Sequence, residues 1–356
     1  MKVLADLFTM APGNKDHHPA IRCAVGVFVP LTTLVLMGRV DLAVFASFGA
    51  FTGIYGRGEQ HGARLVTQLR AGGLMLAVIL LGALTARTGP AWGMTEDQHV
   101  WLVVAATTVV AGACSVAISL WRIRPAGSLF HIFAFAAIAS IPHQPPLWQG
   151  MLVSVLTMLL CLVIGFSSRV VPSRRTEWRL PPPIRHSDGE RRAAWLEGAG
   201  YVVAAGLAGT LATLAGQRLG FGHNYWAMVA AVVPLVGHST RHRISRGIQR
   251  ILGTVVGLVI LAGILLVELE PWQMVLIMAI CQFGAELFII RQYLLAQVFV
   301  TPLALSATLL MAPASPGGLL RDRIVETVIG AAVGIAVVVS PAVLARLRRN
   351  VPRRPA

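Results

Sequence analysis

Apolar residues dominate this chain in long runs separated by short polar breaks. Runs of roughly 17–22 residues, the length that crosses a hydrocarbon layer as a helix, begin near Pro19, Leu42, Ala71, Val100, Gly127, Gly150, Trp195, Asn224, Gly253, Trp272, Gln292 and Ile324. They predict an all-α integral membrane protein with about twelve transmembrane helices. The stretches Leu42 to Tyr55 and Gly127 to Ile141 are the shortest of the set.

The runs repeat in order. A span meets a second span, a basic helical elbow follows, and four more spans complete the unit, once before about residue 170 and again after about residue 195. Two six-helix pseudo-repeats result, and an even number of crossings makes them parallel, related by an axis along the membrane normal. Between them lies a polar segment, Arg169 to Arg192, in which Pro181, Pro182 and Pro183 disfavour a continuous helix. The organisation expected is a cytoplasmic segment over 1–18, a membrane half over 19–168, a linker over 169–194, a second membrane half over 195–345 and a basic tail over 346–356. No cleavable signal is expected, because no small-residue cleavage site follows a short apolar core.

The elbows carry the polar chemistry. Arg57, His61, Arg64 and Gln68 fall at intervals of four, three and four, one face of a helix. Arg243, Arg246 and Arg250 repeat the arrangement at intervals of three and four. Each half thus runs a polar stripe into its third span.

Composition agrees with this class. A chain that is 56% hydrophobic and 13% charged, with positive mean hydropathy, cannot hide its apolar surface in a water-soluble core. Its net charge of +15 would suggest nucleic acid in a soluble protein, but here the basic residues lie in loops beside spans. They set topology and meet anionic lipid headgroups. With the N-terminus inside, the basic clusters at residues 57–70, 122–124, 169–192, 241–250 and 346–354 are all cytoplasmic, and Arg39, Arg87, Arg218, Arg321 and Arg323 lie opposite. Both termini are then cytoplasmic. Cys23, Cys114, Cys161 and Cys281 sit in separate spans without paired spacing, as small packing residues. His238 and His242 are four apart but lack acidic or thiol neighbours, so no metal and no other cofactor is expected. No zinc-protease, nucleophile-elbow or nucleotide-loop motif is present, and an enzyme is not expected.

Tyr225-Trp226, then Arg250 to Gly257 (RILGTVVG), then Phe299 to Pro302 (FVTP) and Arg323 to Gly330 (RIVETVIG) resemble the fusaric acid resistance family within the aromatic acid exporter superfamily. The resemblance covers about residues 195–345 and is looser over 20–170, where Arg70 to Gly73 echoes the second-half pattern. It implies export of organic anions, notably aromatic carboxylates, across a bacterial inner membrane and coupled to the proton gradient. Two departures stand out. The linker is short where many members carry a cytoplasmic domain, and Glu326 stands where an aspartate is common.

An anion crossing low-dielectric space needs fixed positive partners, and arginine offers a planar bidentate fork. Arg64, Arg246 and Arg250 are the substrate-binding candidates, with positive-inside anchoring as their alternative. Thr254, beside the Gly253 and Gly257 small-residue pair, and Thr301, before Pro302, are candidates along the path. Tyr225 and Trp226 are candidates for stacking on an aromatic substrate, or else membrane-interface anchors. Glu286 and Glu326 are the proton-coupling candidates. Their alternatives are an ion pair with Arg291 for Glu286 and a local surface ion pair with Asp322 or Arg323 for Glu326. The partners expected are a small organic anion and lipid, with a homo-oligomer left open. A passive anion channel and a non-transporting component of an envelope complex are the competing functions.

Overall fold

The computed structural model describes residues 7–13, 16–141, 144–170, 172, 175, 177–220, 225–237, 239–311 and 316–350. It is helical, with no strand among those residues. The first six helices are α1 (His17–Leu36), α2 (Ala43–Ala50), α3 (His61–Ala91), α4 (Glu96–Leu120), α5 (Leu129–Ala139) and α6 (Leu147–Ser167). The second six are α7 (Asp188–Leu219), α8 (Tyr225–Ala231), α9 (Thr240–Ile264), α10 (Pro271–Phe288), α11 (Tyr293–Met311) and α12 (Pro316–Asn350).

Helix starts follow local chemistry. Ser187 and Glu190 form a capping box at α7, the Glu190 amide donating to Ser187 Oγ at 3.2 Å and the Ser187 amide to Glu190 Oε2 at 2.9 Å. Thr95 and Gln98 do the same for α4. The helix therefore takes over the last residues of the expected linker, beginning at Asp188.

Among the described residues, nine helices are long and apolar enough to cross a bilayer, and three apolar segments are shorter: Val40–Ile54, Leu129–Ala139 and Tyr225–Leu235. About twelve crossings were expected, so these three fall short of the length for a crossing. The first is α2 flanked by 3₁₀ turns and the third is α8 followed by one. All of α8 is buried, as are seven residues of α2. Broken backbone at membrane depth is tolerated only where protein surrounds it, and that is where these segments lie.

Packing repeats between the two sets of six. In the first, α1 meets α2 and α6, α2 meets α6, α3 meets α5 and α6, and α4 meets α5; the second pairs α7 to α12 in the same way. Contacts between the sets are reciprocal too. Helix α4 packs along α7 and α10 along α1, while α5 meets α8 and α11 meets α2. That is the pattern of a two-fold pseudo-repeat, each short broken helix facing the fifth helix of the other set.

Small residues make the closest seams. Gly330 and Gly334 of α12, four apart, lie against Ala227 and Ala231 of α8. A Cβ at either glycine would meet the facing carbonyl carbon at 2.9 and 3.0 Å. Gly112 of α4 and Gly198 of α7 meet across the join between sets, each Cβ position 3.3 and 3.2 Å from the other's carbonyl oxygen. The four cysteines are buried and unpaired.

The polar residues sort to two ends. Arg57, Arg64 and the Arg122–Glu190 pair (2.9 Å) share one end with the starts of α3, α7 and α9. At the other, Arg39 pairs with Asp41 at 2.8 Å, Gln217 donates to Asp97 at 3.2 Å, and Arg321 donates to the Leu219 carbonyl at 3.0 Å.

Gly330→Ala should shift backbone at the α8 seam and cost about 1–3 kcal/mol. The thermal midpoint of purified protein, followed by size exclusion after heating, should fall by several degrees. Gly263→Ala, with nothing within 4 Å of its Cβ position, should leave the midpoint level or raise it slightly.

Candidate functional site

Between the two sets lies a cavity of about 2020 Å³. Its wall carries Arg22, Arg57 and Arg64 from the first set and Arg246, Arg250 and Arg323 from the second, with Phe48, Phe51, Phe130, Phe133, Tyr225, Trp226 and Tyr293 among them. Cations and aromatic rings thus share one space.

Helix α9 sets Arg246, Arg250 and Thr254 on successive turns of one face. It comes close to α11 because Gly253 and Gly257 have no side chains: Cβ atoms there would meet the Leu294 and Val298 carbonyl oxygens at 2.6 and 2.7 Å. The close approach permits a buried network. Arg250 Nη1 donates to Gln297 Oε1 at 2.6 Å, and Gln297 Nε2 donates to Thr254 Oγ1 at 3.3 Å and Thr301 Oγ1 at 3.1 Å. Thr301 Oγ1 donates in turn to the Gln297 carbonyl at 3.0 Å. Both threonine hydroxyls therefore act through Gln297 to fix Arg250, whose Nε has no hydrogen-bond partner. Arg246 lies over the Tyr293 ring at 4.2 Å, and its Nε also has none.

Tyr225 and Trp226 are buried, at 6% and 1% exposure, which removes the interface-anchor alternative. Their rings meet at a tilt with centroids 4.8 Å apart, and Phe133 of the first set stacks on Tyr225 at 6.4 Å and meets Trp226 at a tilt at 4.7 Å. Arg323, sorted by sequence to a loop at the far side, is 1% exposed and lies over the Trp226 ring, its guanidinium carbon 3.5 Å from the ring centroid. None of its three guanidinium nitrogens has a hydrogen-bond partner. A desolvated cation–π contact contributes about 2 kcal/mol, less than the several kcal/mol that burying the ion costs. Glu326, one turn on, is fully buried rather than on the surface, and its charge and that of Arg250 both act on Arg323.

The first set differs. Arg64 reaches the cavity wall but spends its fork on backbone, donating to the Gly56, Gly165 and Glu59 carbonyls at 3.1, 3.0 and 2.7 Å. Gln68, the counterpart of Arg250, is buried and donates to the Tyr55 carbonyl at 3.3 Å. Arg57 is a clasp between sets: Nη1 reaches Glu286 Oε2 at 3.0 Å and its carbonyl at 2.7 Å, and Nη2 reaches Asp16 Oδ1 at 2.9 Å. Glu286 is thus paired across the α1–α10 seam and not with Arg291, which donates to the Ala11 carbonyl at 3.3 Å. His238 lies outside the described residues, and among those described no three His, Cys, Asp or Glu side chains gather as metal ligands.

Gln297 and Arg323 are cavity residues that sequence reading passed over, and Arg57 was read only as part of the elbow stripe. For Arg323 a signal existed. Gly330 and Gly334 mark the packed face of α12, and Arg323 stands seven residues before Gly330 on that same face.

These features define a multi-pass helical membrane protein with an arginine- and aromatic-lined central cavity. Residues 211–337 match the family described as fusaric acid resistance protein-like. That stretch contains the α9 arginines, Gln297, Arg323 and the seam glycines Gly330 and Gly334, so the resemblance seen in the second-half motifs holds there. A relative described as uncharacterized membrane protein YvaC of Bacillus subtilis (strain 168) is 30% identical over 117 residues, covering 33% of this chain and 18% of the relative. The match thus spans less than a fifth of that protein's length. No solved structure matches the chain.

Breaking a buried ion pair from one side costs about 3–5 kcal/mol. Glu286→Gln and Arg57→Gln should each lower the thermal midpoint sharply. The double variant should lose much less than their sum, a coupling that a thermal double-mutant cycle measures directly.

Proposed function

We propose that this protein is a secondary transporter that exports organic anions, aromatic carboxylates foremost, across a bacterial inner membrane. The observation that carries this reading is the placement of Arg246, Arg250 and Arg323 beside Tyr225, Trp226 and Tyr293 on one cavity wall between two repeated helix sets. Guanidinium groups with unpartnered nitrogens in an apolar bundle suit a carboxylate, and the rings suit an aromatic body. The family match over 211–337 supports the same class.

The basic end that holds Arg57, Arg64 and Arg122 is the cytoplasmic one by the positive-inside rule, which places both termini inside. Arg246 and Arg250 receive the anion from that side, and Thr254 and Thr301 hold Arg250 in place through Gln297. Arg64 serves the mouth by fixing backbone rather than by touching the substrate. Glu286 and Glu326 are the proton carriers. Protonation of Glu286 removes the charge that holds Arg57, loosening the α1–α10 clasp so that the two sets move relative to one another. A homo-oligomer is compatible with this scheme and is not required by it.

Inside-out vesicles containing the protein should accumulate labelled benzoate when a pH gradient, acidic inside, is imposed, and should lose that accumulation on its collapse. Arg250→Ala should lower the rate at least tenfold. Flux that follows the anion's own electrochemical gradient without accumulation would make the protein a channel, and no flux across a panel of carboxylates would make it a non-transporting component.

A further inference from the structure

We propose that Arg323, laid on Trp226, forms a second carboxylate site deeper in the cavity than Arg250, selective for planar carboxylates. The site deepens the organic-anion reading above and rests on it. Arg323 begins the packed face of α12 at the end of the bundle opposite the start of α9, so it approaches the cavity from the far side. An anion leaving Arg250 meets Arg323 next.

The geometry dictates what binds. With the indole 3.5 Å below the guanidinium carbon, one face of the cation is covered and all its N–H donors point outward in its own plane. Those nitrogens are unpartnered within the protein and covered by it, the residue being 1% exposed, so a ligand coming from the cavity meets them by displacing the side chains that cover them. Two parallel N–H groups match the two coplanar oxygens of a carboxylate. A ring conjugated to that carboxylate extends in the same plane, beside Tyr225 and Phe133, whose rings pack at a tilt against Trp226 at 4.8 and 4.7 Å. Charge favours occupation as well, since Arg250 repels Arg323 while Glu326 offsets only one positive charge. A monoanion between the two arginines relieves that repulsion.

The discriminating experiment is equilibrium binding to the purified full chain in lipid nanodiscs. Benzoate, benzenesulfonate, benzamide and chloride are the ligands, for wild type, Arg323→Lys, Arg323→Gln, Trp226→Phe and Arg250→Gln. Wild type should bind benzoate well above benzenesulfonate, whose oxygens are set tetrahedrally about sulfur and cannot all lie in the ring plane, and should bind neither benzamide nor chloride appreciably. Arg323→Lys keeps the charge but loses the planar fork. Benzoate should weaken about tenfold there, and the benzoate-to-benzenesulfonate ratio should fall toward one, a change that a purely structural role would not produce. Trp226→Phe should shift the ratio the same way and serves if Arg323→Gln does not fold.

Unchanged affinity and ratio in both Arg323→Lys and Trp226→Phe, with benzoate lost in Arg250→Gln, would overturn the second site and leave the transport reading standing. Failure of wild type to bind any carboxylate would overturn both.

Discussion

A guanidinium ion removed from water inside an apolar bundle is the constraint around which this molecule is organised. Arginine stays charged at any relevant pH, so the bundle cannot escape the cost by neutralising it. Four of the cavity arginines show how the cost is met. Arg64 is satisfied by three backbone carbonyls, Arg57 by two carboxylates and a carbonyl, and Arg250 in part by Gln297. Arg323 has only an aromatic face and nearby charge. The further along this series, the more donor capacity remains for a ligand, and the two at its far end, Arg250 and Arg323, belong to the second set.

This asymmetry sits on a symmetric frame. Helix pairings in the first six recur in the second, and the contacts between sets are reciprocal. The chemistry of corresponding positions has nonetheless diverged: Gln68 stands where Arg250 does, and Arg64, the partner of Arg246, is tied to backbone. Duplication supplies the two walls of the central cavity, and divergence leaves Arg250 and Arg323 on one wall while the clasp between sets is held by Arg57 of the other. Arg57 and Glu286 bridge that clasp, where an ion pair is both a fastening and the part that a proton could release.

The sequence made the helices legible because hydropathy over twenty residues reads directly as bilayer solubility. Eleven of the twelve expected starts fall within or beside a described helix, and the twelfth, Asn224, lies outside the described residues. Burial of short broken helices was not legible, since an apolar run looks alike whether lipid or protein surrounds it. Tyr225 and Trp226 were ambiguous for the same reason. Partners were the least legible. Glu286 has an arginine five residues away in sequence, yet it pairs with Arg57 from the other set, a contact that only the join between sets creates. Arg323 was sorted by loop charge, although the glycine spacing of its own helix marked the face it would share.

The claim that the second-set arginines form an anion path is tested most directly by a structure determined with 4-iodobenzoate. Ligand density is expected inside the central cavity, the carboxylate against Arg250 or Arg323 and the iodine signal among Tyr225, Trp226 and Phe133. Iodine found only on the lipid-facing surface, at ligand concentrations that saturate transport, would contradict it.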